Sequence, residues 1–485
     1  MNSTNLISSE PQAAKSSSVV FEEDVERSTP VKACPIIWKD SVSAEEYEKA
    51  RIGRVFNSRH PKRYPVAVVE AESVDHVVEA VRLAKSKGHR VSIRSGGHSW
   101  AVWSVRDDAV LIDLHKLKEI TFEDETGIVK VSPSTTGRIL NGFLGEKGRM
   151  FPGGHCPDVG LGGFLLQGGM GWVCRGWGWA CQYINAIDVI TADGDELHCN
   201  KDVNQDLFWA ARGAGPGFPA VVTRFHLNTK ELPSHCRSSV YVYPKSKFKS
   251  VMSWITTLAS SYDTDTEIVC VGRFLPEYED SIVLVGLTTF KWSEADALVA
   301  LQVAEDSKPA GYIRANFNRP TTLQREYDNQ SAANPNGHRY CCDNIHVKND
   351  ADVAGVLEEA FTTLPNRKSF ALWYSMSPTS QRQLPDMALS LHSDHYFALY
   401  TIWEDKNDDE KFQSWTHEIM RKMENYSVGQ YLGDSDFQVR NTMYWSEDNG
   451  KKLMQIREKW DPTGRICGYL TEGDQSGAKG IKNSL

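Results

Sequence analysis

The chain has 485 residues, enough for two or three domains with cores of their own. Its charged fraction of 24% and hydrophobic fraction of 40% are ordinary for a globular protein, and the net charge is −9. That balance offers no basic face for nucleic acid, and no apolar run approaches the length needed to cross a bilayer.

The tail assigned to residues 1–37 is rich in Ser, Glu and Gln and is expected to be disordered. It has no basic segment followed by an apolar run, so no signal peptide is read and an intracellular, cytoplasmic location is expected. The sequons at Asn2, Asn329 and Asn425 therefore carry little weight. Ten cysteines are scattered without a paired zinc-type array. They read as reduced thiols, and no metal is expected.

Tyr64 to Val69 reads as the first strand. A helix follows, with Ser73 as cap, Val74, Val77, Val78, Val81 and Ala84 on one face, and Gly88 as its stop. Val91–Ile93, Val110–Leu114 and Ile128–Val131 read as strands, and Ile139, Leu140, Phe143 and Leu144 mark a helix. Ala186–Thr191 and Val221–Leu227 are further strands on either side of a short helix, Asp206–Arg212. Beyond Leu232-Pro233 the strands lengthen: Val240–Tyr243, Ile268–Val271, Ile282–Phe290, Ser369–Met376 and His395–Trp403. Helices at Phe248–Ile255 and Val353–Leu364 lie between them, the pattern of an antiparallel sheet with helices on one face. Residues 305–338 are polar and rich in Asn and Pro and read as a long loop. Lys451 to Trp460 is a helix, stopped by Pro462.

Two glycine-rich stretches carry the chemistry. Arg94-Ser95-Gly96-Gly97-His98-Ser99 leaves a strand, and consecutive amides in such a turn can bind an anion. A plain tight turn is the alternative, with His98 a polar loop residue. Phe151 to Asp195 packs glycines around Cys156, which suits backbone lying against something flat. Taken alone, Cys156 reads as a buried structural thiol.

The pair together resembles the FAD-linked oxidases of the vanillyl-alcohol oxidase superfamily, in the berberine-bridge-enzyme-like branch. The matching pieces are RSGGHS at 94–99, GHCPDVGLGG at 154–163, GGMG at 168–171, NAIDVITADG at 185–194, DLFWAARGAGPGFPAVVTRF at 206–225 and WDPTG at 460–464. The resemblance is firm over residues 60–230 and weaker at the C-terminus. It implies an α+β fold: a two-part FAD-binding domain of the PCMH type plus an antiparallel-sheet substrate domain covered by helices. The expected boundaries are 38–233 for the FAD-binding domain and 234–430 for the substrate domain. Residues 431–474 would return to the FAD domain, and 475–485 form a tail.

The resemblance also implies that His98 bonds to the 8α-methyl of FAD and Cys156 to carbon 6 of its ring, a bicovalent cofactor. Arg94, Ser95, Gly96, Gly97, Ser99, Val159, Gly160, Gly162, Gly163, Gly168, Gly171 and Val189 fall at its cofactor-binding positions. Val159 matches the position beside the flavin that helps admit or exclude oxygen, and a valine there suggests an oxidase rather than a dehydrogenase. Departures are Phe164 for a frequent His, Gln167 for a glycine, Trp177 for a Tyr and Gln182 for an Asp. Trp177 is expected as a substrate-facing wall, while at least two of Trp172, Trp177 and Trp179 are core aromatics.

The family's Tyr-x-Asn-Tyr base motif reads Tyr431-Leu432-Gly433-Asp434 here. Tyr431 is the first candidate base, although a phenol of pKa about 10 needs help to act near neutrality. Asp434 is the alternative base, or a solvated turn residue. His395, Tyr400, Trp403 and Glu404 are pocket candidates, of which strand alternation admits only some. The expected activity is hydride transfer from a hydrophobic or aromatic alcohol, phenol or amine to FAD, with molecular oxygen as acceptor and hydrogen peroxide as product. A dehydrogenase, a redox-neutral cyclase and a flavin-binding protein without turnover are the alternatives. No nucleic-acid or membrane partner is expected, and the oligomeric state is not readable.

Overall fold

In the computed structural model, Ser73 accepts a hydrogen bond from the His76 amide and Gly88 takes φ +72°. The first predicted helix therefore runs Val74–Lys87 between a polar N-cap and a left-handed C-cap. The structure describes residues 33–470 apart from Gln438 and Asn441. Most of the 1–37 tail, the end of the 431–474 segment and the 475–485 tail lie outside the described residues.

Helix Val74–Lys87 crosses between two parallel strands. Its sheet has the order Ile36–Trp38, Ala67–Glu70, Ala109–Asp113, Arg90–Arg94, with only the first strand antiparallel. Val77, Val81, Val110 and Ile112 of this layer pack against Ile190 and Val221 of a second sheet. That sheet is antiparallel and has the order Ile120–Glu123, Ile128–Val131, Ala220–Asn228, Ile184–Thr191, Glu196–Asn200. The chain end returns to the first layer, where Ile466 bridges Val91.

The third sheet has eight strands, in the order Arg314–Thr321, His235–Pro244, Ile282–Lys291, Thr266–Arg273, Phe370–Ser375, His395–Trp403, Arg339–Val347, Ser427–Gly429. All its pairings are antiparallel. Strand alternation splits its side chains between two layers. Phe397, Leu399 and Trp373 meet Val251, Ile255, Leu357 and Met420 of helices Phe248–Ala259, Val353–Thr362 and Asp409–Met423. Tyr396, Ala398, Tyr400 and Tyr374 face the opposite way, into the core that holds the glycine-rich loops. The site lies on this second face.

Residues 305–338 are not the loop expected. They contain the edge strand Arg314–Thr321 and the helix Leu323–Ala333, capped by Thr322. An edge strand tolerates polar residues because one side of it meets water. The helix buries Tyr327 alone, so its sequence lacks an apolar stripe. The strand Arg339–Val347 also escaped the sequence reading, because Asp343, Asn344 and His346 interrupt its apolar pattern while buried.

Candidate active site

The strand Arg90–Arg94 ends in an ionic anchor. The Arg94 guanidinium donates to Asp113 Oδ2 at 2.8 Å and to the carbonyls of Arg51 and Ala50, each at 2.6 Å. Arg54 also pairs with Asp113. Arg94 therefore fixes the base of the 94–99 loop rather than reaching out to a ligand. The loop then runs flush against the second glycine stretch. A Cβ on Gly160 would lie 2.8 Å from the Gly96 Cα, and one on Gly162 would lie 2.7 Å from Ser95 Oγ. Side chains at these positions would force the two loops apart.

Both loops border one cavity of about 350 Å³. Ser95, Gly96, Gly97, His98 and Ser99 line it, as do Cys156, Val159, Gly160, Gly162 and Gly163. The His98 ring stacks on Phe56 with centroids 4.6 Å apart. Burial pushes His98 down to about 4, against the opposing charge of Asp158, so the ring is neutral and keeps a nucleophilic lone pair. Burial pushes the Cys156 thiol up to about 12, with Asp434 and Asp158 adding to the effect. Asn334 Nδ2 lies 3.7 Å from Cys156 Sγ, and Asn334 Oδ1 is buried without a partner among the described residues. A side-chain-free wall, a neutral imidazole, a thiol and an unsatisfied amide oxygen in one cavity fit a flat, polar-edged cofactor.

The large sheet supplies the facing wall. Tyr374 and Tyr400 line the cavity, and Tyr400 stacks on Phe370 with centroids 4.5 Å apart. The turn 431–434 closes it. Asn344 Oδ1 accepts the Tyr431 amide at 2.8 Å, while Asn344 Nδ2 donates to the carbonyls of Tyr431 at 2.7 Å and Asp434 at 3.0 Å. The turn is thus pinned to the strand Arg339–Val347.

The two candidate bases differ in environment. Tyr431 Oη accepts the Met170 amide at 3.1 Å. Burial raises its phenol, and the Asp434 charge raises it further. Asp434 is not a solvated turn residue. Its Oδ2 accepts the Tyr396 hydroxyl at 2.7 Å, and Tyr400 and Trp100 also bond to it. Burial raises its carboxyl, while those hydrogen bonds and His155 oppose the rise. A carboxyl moved up toward neutrality suits proton transfer, whereas a phenol moved further up does not.

Seven expected residues fall outside the cavity, the pocket candidates His395 and Glu404 among them. Trp177 lines a separate surface pocket with Arg149 and Trp292, and the Lys230 ammonium sits 4.8 Å from its ring centre. It is not the substrate-facing wall expected. Trp172 and Trp179 are core aromatics. Trp403 points to the helix-covered face, where it packs on Phe412 and donates to Asp409 Oδ1 at 2.8 Å. Alternation explains this, since residue 403 has the opposite parity to Tyr400. Val189 lies inside the core of the five-stranded sheet. Gly168 and Gly171 pack against Leu389 and Pro152 and shape the loop behind the wall.

The sequence reading passed over His155, Glu267, Trp100, Tyr374 and Tyr396. Glu267 did leave a signal, because a carboxylate opening the apolar run Ile268–Val271 asks for a buried partner.

Residues 65–200 match the family described as FAD binding domain. The FAD-linked oxidoreductase nodO of Hypoxylon pulicicidum is 41% identical over 436 residues, which cover 90% of this chain and 97% of that protein. Two solved structures share the fold. Physcomitrella patens BBE-like 1 has a TM-score of 0.78 at 18% identity, over 90% of this chain and 95% of its own. Acremonium strictum glucooligosaccharide oxidase, described with a 6-S-cysteinyl, 8α-N1-histidyl FAD, has a TM-score of 0.76 at 18% identity, over 89% of this chain and 95% of its own. The chain belongs to the FAD-linked oxidoreductases, and its fold is that of the berberine-bridge-enzyme-like structures. It is an FAD-dependent oxidoreductase with the PCMH-type fold.

Proposed function

We propose that the protein is an oxidase with FAD joined to both His98 and Cys156, acting on a hydrophobic or aromatic alcohol, phenol or amine. The observation that carries this reading is the shared cavity: His98 and Cys156 on the glycine wall, Asp434 on the other. FAD, when bound, supplies the hydride acceptor and the reaction with oxygen.

The chain's own groups do the rest. Tyr374, Tyr400 and Phe370 give the substrate an aromatic wall. Asp434, aimed by Tyr396, accepts the proton from the substrate hydroxyl or amine. Tyr431, fixed by the Met170 amide, orients the substrate as a neutral phenol. A proton acceptor inside the cavity favours turnover over a role in binding alone. Val159, on the glycine wall, supports oxygen as the final acceptor.

An anaerobic panel of such compounds tests the reading. At least one should bleach the visible flavin absorbance, and air should restore it with one hydrogen peroxide per cycle. Bleaching without reoxidation by air would instead make the protein a dehydrogenase. No bleaching by any member would count against catalysis.

A further inference from the structure

The cavity is short of positive charge. Among the described residues that line it, the basic ones are Arg94, His98 and His155. The Arg94 guanidinium is tied to Asp113 and two carbonyls. His98 is neutral, its ring buried against Phe56. Only His155 is left to balance Asp434 and any charge gained by the cofactor.

The surroundings of His155 are built to hold a cation. Its Nε2 lies 2.9 Å from Glu267 Oε2. Glu267 is 4% exposed, and its other oxygen accepts the Tyr374 hydroxyl at 2.9 Å and the Val173 amide at 2.5 Å. These contacts fix the carboxylate against the ring. The His155 ring also meets the Met170 carbonyl, so its polar contacts are acceptors. Trp172 packs on the ring at 4.6 Å, with Tyr374 at 5.6 Å. Burial lowers the imidazole, but the charge and hydrogen bond of Glu267 and the charge of Asp434 outweigh it, and the net shift is upward. The titratable groups facing the ring are thus Glu267 and Tyr374 from the large sheet and Asp434 from the closing turn, with Cys156 next in the chain. Arg175, the other cation near Glu267, donates to the carbonyls of Ala259, Tyr262, Asp263 and Thr266 and does not line the cavity.

We propose that His155, fastened by Glu267, is the standing positive charge of the redox cavity, a positioning residue that keeps Asp434 in its proton-accepting form and offsets electron density gained by the flavin. This rests on the oxidoreductase reading above. Without a cation nearby, burial would favour a protonated Asp434, and His155 opposes that rise. A cation beside the chain's cysteine anchor also favours the reduced over the oxidised cofactor.

The test needs no substrate. The flavin midpoint potential of the holoprotein is measured against a reference dye from about pH 5.5 to about pH 8, spanning the range in which an unheld imidazole titrates. His155→Gln should lower the midpoint throughout. Glu267→Gln should match or exceed the wild type at the acid end and fall to the His155→Gln value at the alkaline end, as the unheld ring loses its proton. His155→Asn serves the same purpose if the Gln variant does not fold. Histidine-ring carbon NMR of the wild type gives a second reading, the signal being assigned by its loss in the variant. An imidazolium persisting to about pH 7.5 agrees with the proposal. A midpoint unchanged in flavin-loaded His155→Gln, or a neutral His155 ring below about pH 6.5, would overturn it. Reoxidation of the reduced wild type by air reads the oxidase assignment separately, so either can fail while the other stands.

Discussion

At the scale of single residues, a neutral imidazole and a neutral thiol share one cavity, as the proposed double attachment requires. His98 has a free lone pair because burial keeps its proton off, and Cys156 waits as a thiol. His98→Ala and Cys156→Ala should each retain acid-stable flavin through the remaining bond, and the double variant should release it on acid precipitation. Asp434→Asn should slow flavin reduction about 10²–10⁴-fold, the usual worth of a general base, while Trp177→Ala should leave that rate unchanged, because Trp177 lies in another pocket. Rapid-mixing absorbance with any reducing compound measures both. The two loops that bring His98 and Cys156 to one cavity were legible in the sequence because their close approach demands glycine at particular positions. The choice between Tyr431 and Asp434 was not, since it depends on burial and on Tyr396, Tyr400 and Trp100, which the chain brings in from far away.

Among the elements, the close contact of the two glycine loops matters most to the site. Gly160→Ala places a methyl 2.8 Å from the Gly96 Cα, and backbone cannot step aside as a side-chain tip can. The variant should lose flavin content and melt at a lower temperature, as absorbance ratio and calorimetry will show. The second element of note is the polar face of the five-stranded sheet. Asp188 sits 2.6 Å from His198 Nδ1 and 3.0 Å from both His226 Nε2 and an Arg224 nitrogen. These three ligand-type side chains meet although the sequence led to no expectation of a metal-type cluster. Burial raises the Asp188 carboxyl, but the hydrogen bonds of His226 and His198 and the charge of Arg224 outweigh it and hold it at about 2. The folded chain therefore binds this proton less readily than the unfolded chain, whose value is about 3.9. Its stabilisation is full above that value and is lost as pH falls toward 2, to the extent of about 2 kcal/mol. Acid melting curves of Asp188→Asn should lack that share of the decline. Elements with a clear period and caps, such as Val74–Lys87 and His395–Trp403, were readable. Arg339–Val347 was hidden because Asp343 and Asn344 serve Arg440 and the closing turn rather than the apolar pattern.

Over the whole molecule, one sheet face carries both the core of the cofactor region and the wall of the cavity, while the opposite face is sealed by helices. Truncating that sealed layer, as in Leu357→Ala, should cost about 2–5 kcal/mol without touching the site. Chemical denaturation should show the loss with the flavin spectrum of the folded state unchanged. The overall class was legible from the shift to long strands after residue 232, together with the paired glycine loops. The meeting of Asn344, Tyr396 and Asp434 was not, because no local pattern encodes which strands become neighbours in an eight-stranded sheet. Mass spectrometry of the acid-denatured wild-type protein decides whether FAD is attached at both residues. The expected result is a chain heavier by one FAD, and after digestion a single flavin joining the peptide that contains His98 to the peptide that contains Cys156. A chain at its unmodified mass, with both peptides free, would contradict it.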